Sequence, residues 1–429
     1  MDKQLLRQVI IDQKNEPVPV NLIKRWQYGQ IVPLLANKQV IVISGVRRSG
    51  KSILLHMLRT NCQQAENYIN FDDDRLVQFT LADFDMLLDT FIELYGVQTT
   101  FYFDEIQNIL GWERFVRRLH NMECKVFVTG SNAKLLSAEL GTHLTGRHIA
   151  IKLFPYSFNE FVTYRDPDFN FSAIFTSTQR ALLKKYFAEF KIFGGLPEYL
   201  LNRQKQYLHG LYESILYKDI LVRNKITMEK PIKELVFYLA SNNCKEFTYN
   251  SLRKLIGVAS ANTVAEYCHY LENSFLCFSL NRFSYSVKEQ ISYARKIYFI
   301  DQALVEAVGF KFTEDFGRLL ENIVFLELTR RDKDIYFHKA KQECDFLIRN
   351  GYKIVTAIQV CATLKNPATR EREINGLLEA MLVHGLENGV IITEDEVDTL
   401  EITHQTKQYQ ISVIPCWEWV LAQDSDILQ

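Results

Sequence analysis

The sequence predicts an α/β protein whose first part is a parallel sheet with helices on both faces, and three observations predict it. The stretch Gly45-Val46-Arg47-Arg48-Ser49-Gly50-Lys51-Ser52 is a complete GxxxxGK[ST] phosphate-binding loop. It lies between an apolar run, Gln39 to Ser44, and a helix-prone run, Ile53 to Arg59, which is the strand–loop–helix context such a loop requires. Strand-like and helix-like segments then alternate as far as Leu153, the pattern of a parallel sheet with crossover helices. A ligand of such a sheet sits at the carboxyl ends of its strands.

The elements follow in order. After the loop and its helix comes a short strand, Asn67 to Phe71, then three acids, Asp72 to Asp74. A helical stretch is expected from Leu81 to Tyr95. Thr99-Thr100-Phe101-Tyr102-Phe103-Asp104-Glu105 reads as a buried central strand, apolar without polar alternation and tipped by two carboxylates. An amphipathic helix is expected from Trp112 to Asn121, a buried strand from Lys125 to Thr129, and a last strand from His148 to Leu153.

The chemistry expected of this core is specific. Its glycines let backbone N–H groups curl around a phosphate, and the following helix adds its positive end. Gly45, Val46, Arg47, Arg48, Ser49, Gly50, Lys51, Ser52 and Ile53 are therefore expected to contact ATP, with Lys51 on the β/γ oxygens and Ser52 on Mg²⁺. Asp104 is the second expected Mg²⁺ ligand, and Glu105 the group that polarises the attacking water. The second acid favours hydrolysis over transfer to another substrate. Ser131-Asn132 ends the strand beside the acid-tipped one. Asn132 there either senses the γ-phosphate or orients water, or caps a helix. Arg147, just before the last strand, either stabilises charge on the transferring phosphoryl, in cis or across a subunit boundary, or is a surface arginine. Arg47 and Arg48 either touch phosphate or pair with Asp72 to Asp74.

Length and composition set the frame. A chain of 429 residues has room for two to four domains. Apolar residues make up 47% and charged residues 24%, ordinary for a soluble globular protein. The net charge of −1 exerts no global pull on nucleic acid, so any such site is a local patch. Eight cysteines without a CxxC pair read as reduced thiols filling cores. The start, Met1-Asp2-Lys3-Gln4, has no signal-peptide pattern, and no apolar run approaches ~18 residues. The expectation is a cytoplasmic protein with no membrane partner.

Taken together, the loop, Tyr102-Phe103-Asp104-Glu105-Ile106-Gln107, Thr129-Gly130-Ser131-Asn132, Leu144-Thr145-Gly146-Arg147 and Phe193-Gly194-Gly195-Leu196-Pro197-Glu198-Tyr199 resemble the AAA/STAND-like P-loop ATPases of bacteria and archaea. The resemblance runs over most of the chain. It implies an ATPase core over 1–155, a helical lid over 156–228, a winged helix over 229–312 and a PD-(D/E)XK nuclease-like domain over 313–429. It also implies a phosphate-facing arginine at Arg147.

The residues of the later segments fit that outline. Aromatic spacing from Tyr164 to Tyr217 is that of a packed helical lid, interrupted at Gly194-Gly195-Leu196-Pro197. Pro231 to Phe283 reads as three helices followed by strands, and Lys296 to Ile300 as a further strand, the order of a helix-turn-helix with a wing. Its third helix carries Asn262, Thr263, Glu266, Tyr267 and His269 but no Lys or Arg. Phosphate contacts would fall to Arg253, Lys254, Lys288, Arg295 and Lys296. In the tail, Asp345 matches the acid of the nuclease pattern. Gln359-Val360-Cys361 stands where a Glu-x-Lys would supply a second metal ligand and the lysine, so metal-dependent cleavage is not expected unless Lys365 or Glu343 migrates into the site. The leading expectation is an ATP-hydrolysing switch acting on a DNA or protein partner, with ATP/ADP as ligands and a homo-oligomer in view. The alternatives are an ATP-gated nuclease and a nucleotide-regulated DNA-binding protein with little turnover.

Overall fold

The computed structural model describes the chain apart from residues 18, 20, 21, 63, 65, 133–143, 172–174, 311–314 and 423–429. The domain boundary expected after residue 312 lies outside the described residues. Contacts group the chain into two compact units, Met1–Pro155 with Asn273–Phe275, and Tyr156–Glu272 with Leu276–Gln429.

The first unit contains α1 (Lys3–Lys14), α2 (Trp26–Ile31), β1 (Val40–Ser44), α3 (Lys51–Thr60), β2 (Tyr68–Asn70), α4 (Phe84–Tyr95), β3 (Thr100–Asp104), α5 (Trp112–Asn121), β4 (Lys125–Gly130) and β5 (His148–Lys152). The strands form one sheet in the order β2-β3-β4-β1-β5, parallel throughout. Residues alternate between its faces because successive side chains of a strand point to opposite sides. Val40 and Val42 of β1 pack with Leu6 and Val9 of α1, Phe84 and Phe91 of α4, and Phe115 of α5. Ile41 and Ile43 pack on the other face with Leu54, Leu55 and Leu58 of α3. Each such side chain, fully buried, stabilises the layer by roughly 1.5–3 kcal/mol. The helix expected from Leu81 begins as a 3-10 turn, Leu81–Asp83, held by a capping box between Thr80 and Asp83.

The second unit begins with helices Phe158–Arg165, Ser177–Phe193, Pro197–Asn202 and Lys205–Ser214, the last running into a π-helical turn, Ile215–Val222. Part of the aromatic spacing is core, with Phe187, Phe190 and Tyr199 buried and Phe158 packed on Phe187 and Phe190, while Tyr217 is exposed. At Gly194 the helix ends with φ 67. A Cβ on Gly195 would lie 2.3 Å from the Tyr156 carbonyl oxygen, so only glycine fits this approach. Gly195 N donates to the buried Asp301 carboxylate at 2.7 Å.

Helices Glu229–Ser241, Tyr249–Leu255 and Ala261–Asn273 follow, with an antiparallel sheet β6 (Glu246–Phe247), β7 (Cys277–Asn281) and β8 (Arg295–Phe299) in the order β6-β8-β7. One sequence expectation is overturned here: Lys296 is only 2% exposed, so it cannot supply a phosphate contact.

The tail has helix Phe316–Arg330, β9 (Asp334–Lys339), β10 (Glu343–Asn350), β11 (Lys353–Val360), helix Pro367–His384, β12 (Asn388–Thr393), β13 (Asp398–His404) and β14 (Lys407–Pro415). Its sheet runs β13-β14-β12-β11-β10-β9. It is mixed: β11, β12 and β14 are parallel, and β9, β10 and β13 run against their neighbours. The sequence pattern of the tail, read as helix, three strands, helix and strand, is met as far as β12, and the hairpin β13–β14 extends the sheet beyond it.

Candidate nucleotide site

The phosphate-binding loop joins β1 to α3. A Cβ on Gly45 would lie 2.1 Å from the Leu153 carbonyl oxygen, so the loop can pass there only as glycine. Gly50 caps α3 from a left-handed conformation, φ 95, and Arg48 is also left-handed, φ 64. Lys51 opens the helix and is 4% exposed. Its ammonium folds back into the loop, 3.2 Å from the carbonyl oxygens of Gly45 and of Val46 and 3.4 Å from Glu105 Oε1. Ile53 is half-buried in the first turn of α3.

Asp104 ends β3 and is fully buried. It is ringed by hydroxyls: Thr129 of β4 donates to it, Tyr68 lies 3.3 Å away, and Ser52 hydrogen-bonds it. Burial pushes the Asp104 carboxyl up, and the neighbouring Glu105 charge adds to this against the pull of Thr129 and Ser52. Glu105 is a left-handed non-glycine residue, φ 50, a conformation costing about 1–3 kcal/mol that structures retain where it aims a side chain. Its N–H donates to Thr129 Oγ1 at 3.0 Å, so one hydroxyl fixes both acids. Burial works to raise the Glu105 carboxyl, but the Lys51 ammonium, Gln107 and Arg47 outweigh it and hold the group below its ordinary range. Gln107 donates to Glu105 Oε2 and reaches Ser131 Oγ at 3.5 Å.

Ser131 and Asn132 are buried just past the end of β4, at the same end of the sheet as the loop, because Gly130 stands beside Ser44 in the parallel register. Arg47 pairs with Asp72 at 3.7 Å, and Arg48 is exposed. The structure corrects the placement of Arg147 within its own chain. Val40 N donates to the Arg147 carbonyl, and His148 stands beside Val40, so Arg147 enters at the amino end of β1 and β5. The loop leaves the opposite end, a strand length of roughly 16 Å away. Arg147 is therefore not part of its own chain's phosphate site.

Arg25 was not singled out from the sequence. It is 4% exposed, with Nη1 donating to the Ser49 carbonyl at 2.8 Å and Nη2 to the Phe154 carbonyl at 2.5 Å. It braces the loop from behind, and nothing in Lys24-Arg25-Trp26 signals that.

The residues fit a magnesium nucleotide. Gly45, pressed against the Leu153 carbonyl, and Gly50, in a left-handed conformation, hold the turn of the loop, Lys51 brings a cation, and Ser52 with Asp104 offers the hard oxygen donors that Mg²⁺ takes.

The tail is different. Gln359 Oε1 accepts from Asp345 N, and its amide donates to Glu373, so its side chain is committed within the fold. Cys361 is buried in the apolar core with Leu364 and Leu377. Lys365 is exposed, and its backbone is bonded to Thr363. Among the described residues no group of three or more His, Cys, Asp or Glu is placed to hold a metal ion. Nor is any described helix long and apolar enough to cross a membrane.

The parallel sheet with its loop, lysine and paired acids defines a P-loop protein of the AAA class. A family model described as "AAA domain" matches residues 37–162, and a second, described as a domain of unknown function, matches 184–315. An uncharacterised protein of Methanocaldococcus jannaschii is 34% identical over 98% of this chain and 96% of its own length. One of Haemophilus influenzae is 31% identical over 78% of this chain and 86% of its own. The chain belongs to the family of these uncharacterised proteins, and its residues 37–162 form an AAA domain. Among solved structures it overlaps Cdc6p of Pyrobaculum aerophilum, 12% identical over 72% of this chain and 98% of that one, TM-score 0.27. It also overlaps a signal-transduction ATPase with numerous domains from Pyrococcus horikoshii, 14% identical over 74% and 46%, TM-score 0.28.

Proposed function

We propose that the protein binds ATP with Mg²⁺ at the β1–α3 loop, hydrolyses it to ADP and phosphate, and uses the nucleotide state as a switch on a partner. The observation that carries this reading is the meeting of Lys51, Ser52, Asp104 and Glu105 at the carboxyl ends of β1 and β3. Lys51 moves from Glu105 and the loop carbonyls to the β/γ oxygens of the nucleotide. That frees Glu105, already ionised and aimed by its backbone, to accept a proton from the water that attacks the γ-phosphorus. Ser52 and Asp104 would hold Mg²⁺, whose charge would offset that of the phosphates. Asn132, buried at the same sheet end, orients the water.

Arg147 acts, on this reading, across an interface on the site of a second copy, because its own site is out of reach. The segment 229–312 contains a winged helix on this reading, since a helix, the short strand β6, two further helices and the strands β7 and β8 occur in that order. A protein partner is favoured over DNA. The third helix exposes Asn262, Glu266 and His269, and it carries no Lys or Arg to meet phosphates. Steady-state phosphate release measured with and without duplex DNA tests this. Turnover that needs Mg²⁺ and Lys51 supports the switch. Strong stimulation by DNA, with affinity falling steeply in salt, would favour the DNA-binding alternative.

A further inference from the structure

The tail contains a closed ionic centre that the sequence did not reveal. Lys296 projects from β8 into a cluster of carboxylates and is 2% exposed. Its ammonium lies 2.9 Å from Glu321 Oε1, 2.8 Å from Glu343 Oε1 and 2.8 Å from Asp345 Oδ1. An ammonium has three N–H donors and no acceptor, so three carboxylate partners use all of them. The acids are held in turn. Tyr298 donates to Glu321 Oε1 at 2.7 Å, Val360 N donates to Asp345 Oδ2 at 3.0 Å, and Lys339 pairs with Glu343 Oε2 at 2.6 Å. Burial and the Asp345 charge push Glu321 up to about 8, while the two lysines outweigh burial at Glu343 and hold it at about 2. The facing carboxylates keep Lys296 protonated, well above its ordinary range, in spite of its burial.

We propose that Lys296 is a built-in cation that takes the place a divalent metal would take among Glu321, Glu343 and Asp345, so that these acids, as placed around the ammonium, hold no metal ion and the lysine does permanently what Mg²⁺ or Mn²⁺ would do in an open site. This rests on the nuclease-like reading of the tail only for the kind of ion displaced. It does not depend on the nucleotide site, whose failure would show separately as lost ATP binding.

The test is Mn²⁺ binding to the full chain without nucleotide, followed by electron paramagnetic resonance, in wild type, Asp345→Asn, Glu343→Gln and Lys296→Met. Wild type, Asp345→Asn and Glu343→Gln are expected to bind Mn²⁺ equally. Lys296→Met is expected to melt several degrees lower, to take up one further Mn²⁺ per chain and to regain stability with it. Adding Asp345→Asn to Lys296→Met should abolish that gain. If wild type holds one more Mn²⁺ than Asp345→Asn or Glu343→Gln, the centre is open and the proposal fails. It fails also if Mn²⁺-dependent cleavage of nucleic acid by wild type disappears in both Asp345→Asn and Lys296→Met, because Lys296 would then be a catalytic lysine. A folded Lys296→Met that takes up no further Mn²⁺ overturns it as well. The comparison of wild type with Asp345→Asn and Glu343→Gln stands whether or not the lysine variant folds.

Discussion

Glu105→Gln separates grip from chemistry. The amide is isosteric with the carboxylate and still offers Gln107 an acceptor, but it cannot take a proton from water. Loss of a positioned general base typically costs 10²–10⁴ in rate, about 3–5.5 kcal/mol of activation free energy. ATP affinity should move the other way. In the nucleotide-free protein Lys51 is 3.4 Å from Glu105 Oε1. At an effective dielectric constant near 20, that attraction is worth about 5 kcal/mol before desolvation. Binding ATP must break it, so removing the carboxylate charge removes a competitor for the lysine. The expected variant binds Mg-ATP as tightly as wild type or more so, and its kcat falls at least a hundredfold. A fluorescent-nucleotide titration gives Kd, and phosphate release at saturating Mg-ATP gives kcat. A kcat within threefold of wild type would refute the role given to Glu105. A Kd weakened tenfold would refute the competition between carboxylate and phosphate.

Three further outcomes are expected. Arg25→Ala removes charge-assisted bonds to the Ser49 and Phe154 carbonyls, worth about 1.5–3 kcal/mol each where intact, so ATP Kd should rise tenfold or more, while Arg25→Lys recovers part of it. Arg147→Ala should lower kcat more than it raises Kd, and mixing it with Lys51→Ala protein should restore turnover if the arginine serves a neighbouring copy; unchanged kcat in the single variant ends that idea. Asp301 is pushed up to about 6 by burial, against the pull of the Gly195, Ala303 and Leu304 N–H groups. The folded form then holds its proton more tightly than the unfolded form. This contribution is fully present below pH 3.8 and is lost as pH rises through 6, amounting to about 3 kcal/mol. Guanidinium unfolding between pH 4 and 7 should show this slope in wild type relative to Asp301→Asn, and parallel pH curves would count against it.

What could be read in the sequence was what is local in it. The loop, its lysine and the Asp104–Glu105 pair are contiguous motifs, and their flanking runs already show strand and helix. Thr129, which fixes both acids, Arg25, which braces the loop, and Lys296, which fills the tail centre, act on residues far away in the chain, and no spacing announces them. Arg147 shows the same limit in another way. Its nearness to the last strand was legible, but the end of the sheet it occupies follows only from the parallel register of β5 on β1. The β13–β14 hairpin was missed because its turn, Gln405-Thr406, takes φ of 48 and 80 with none of the Asn or Gly that usually marks a left-handed hairpin turn.

The central claim is that this loop binds and hydrolyses Mg-ATP. It is tested most directly by calorimetric titration of Mg-ATP into wild type and Lys51→Ala, with phosphate release followed on the same preparations. Wild type should bind one Mg-ATP per chain and release phosphate in a reaction stopped by EDTA, and Lys51→Ala should do neither. Absent binding in wild type, or undiminished turnover in Lys51→Ala, would contradict the account.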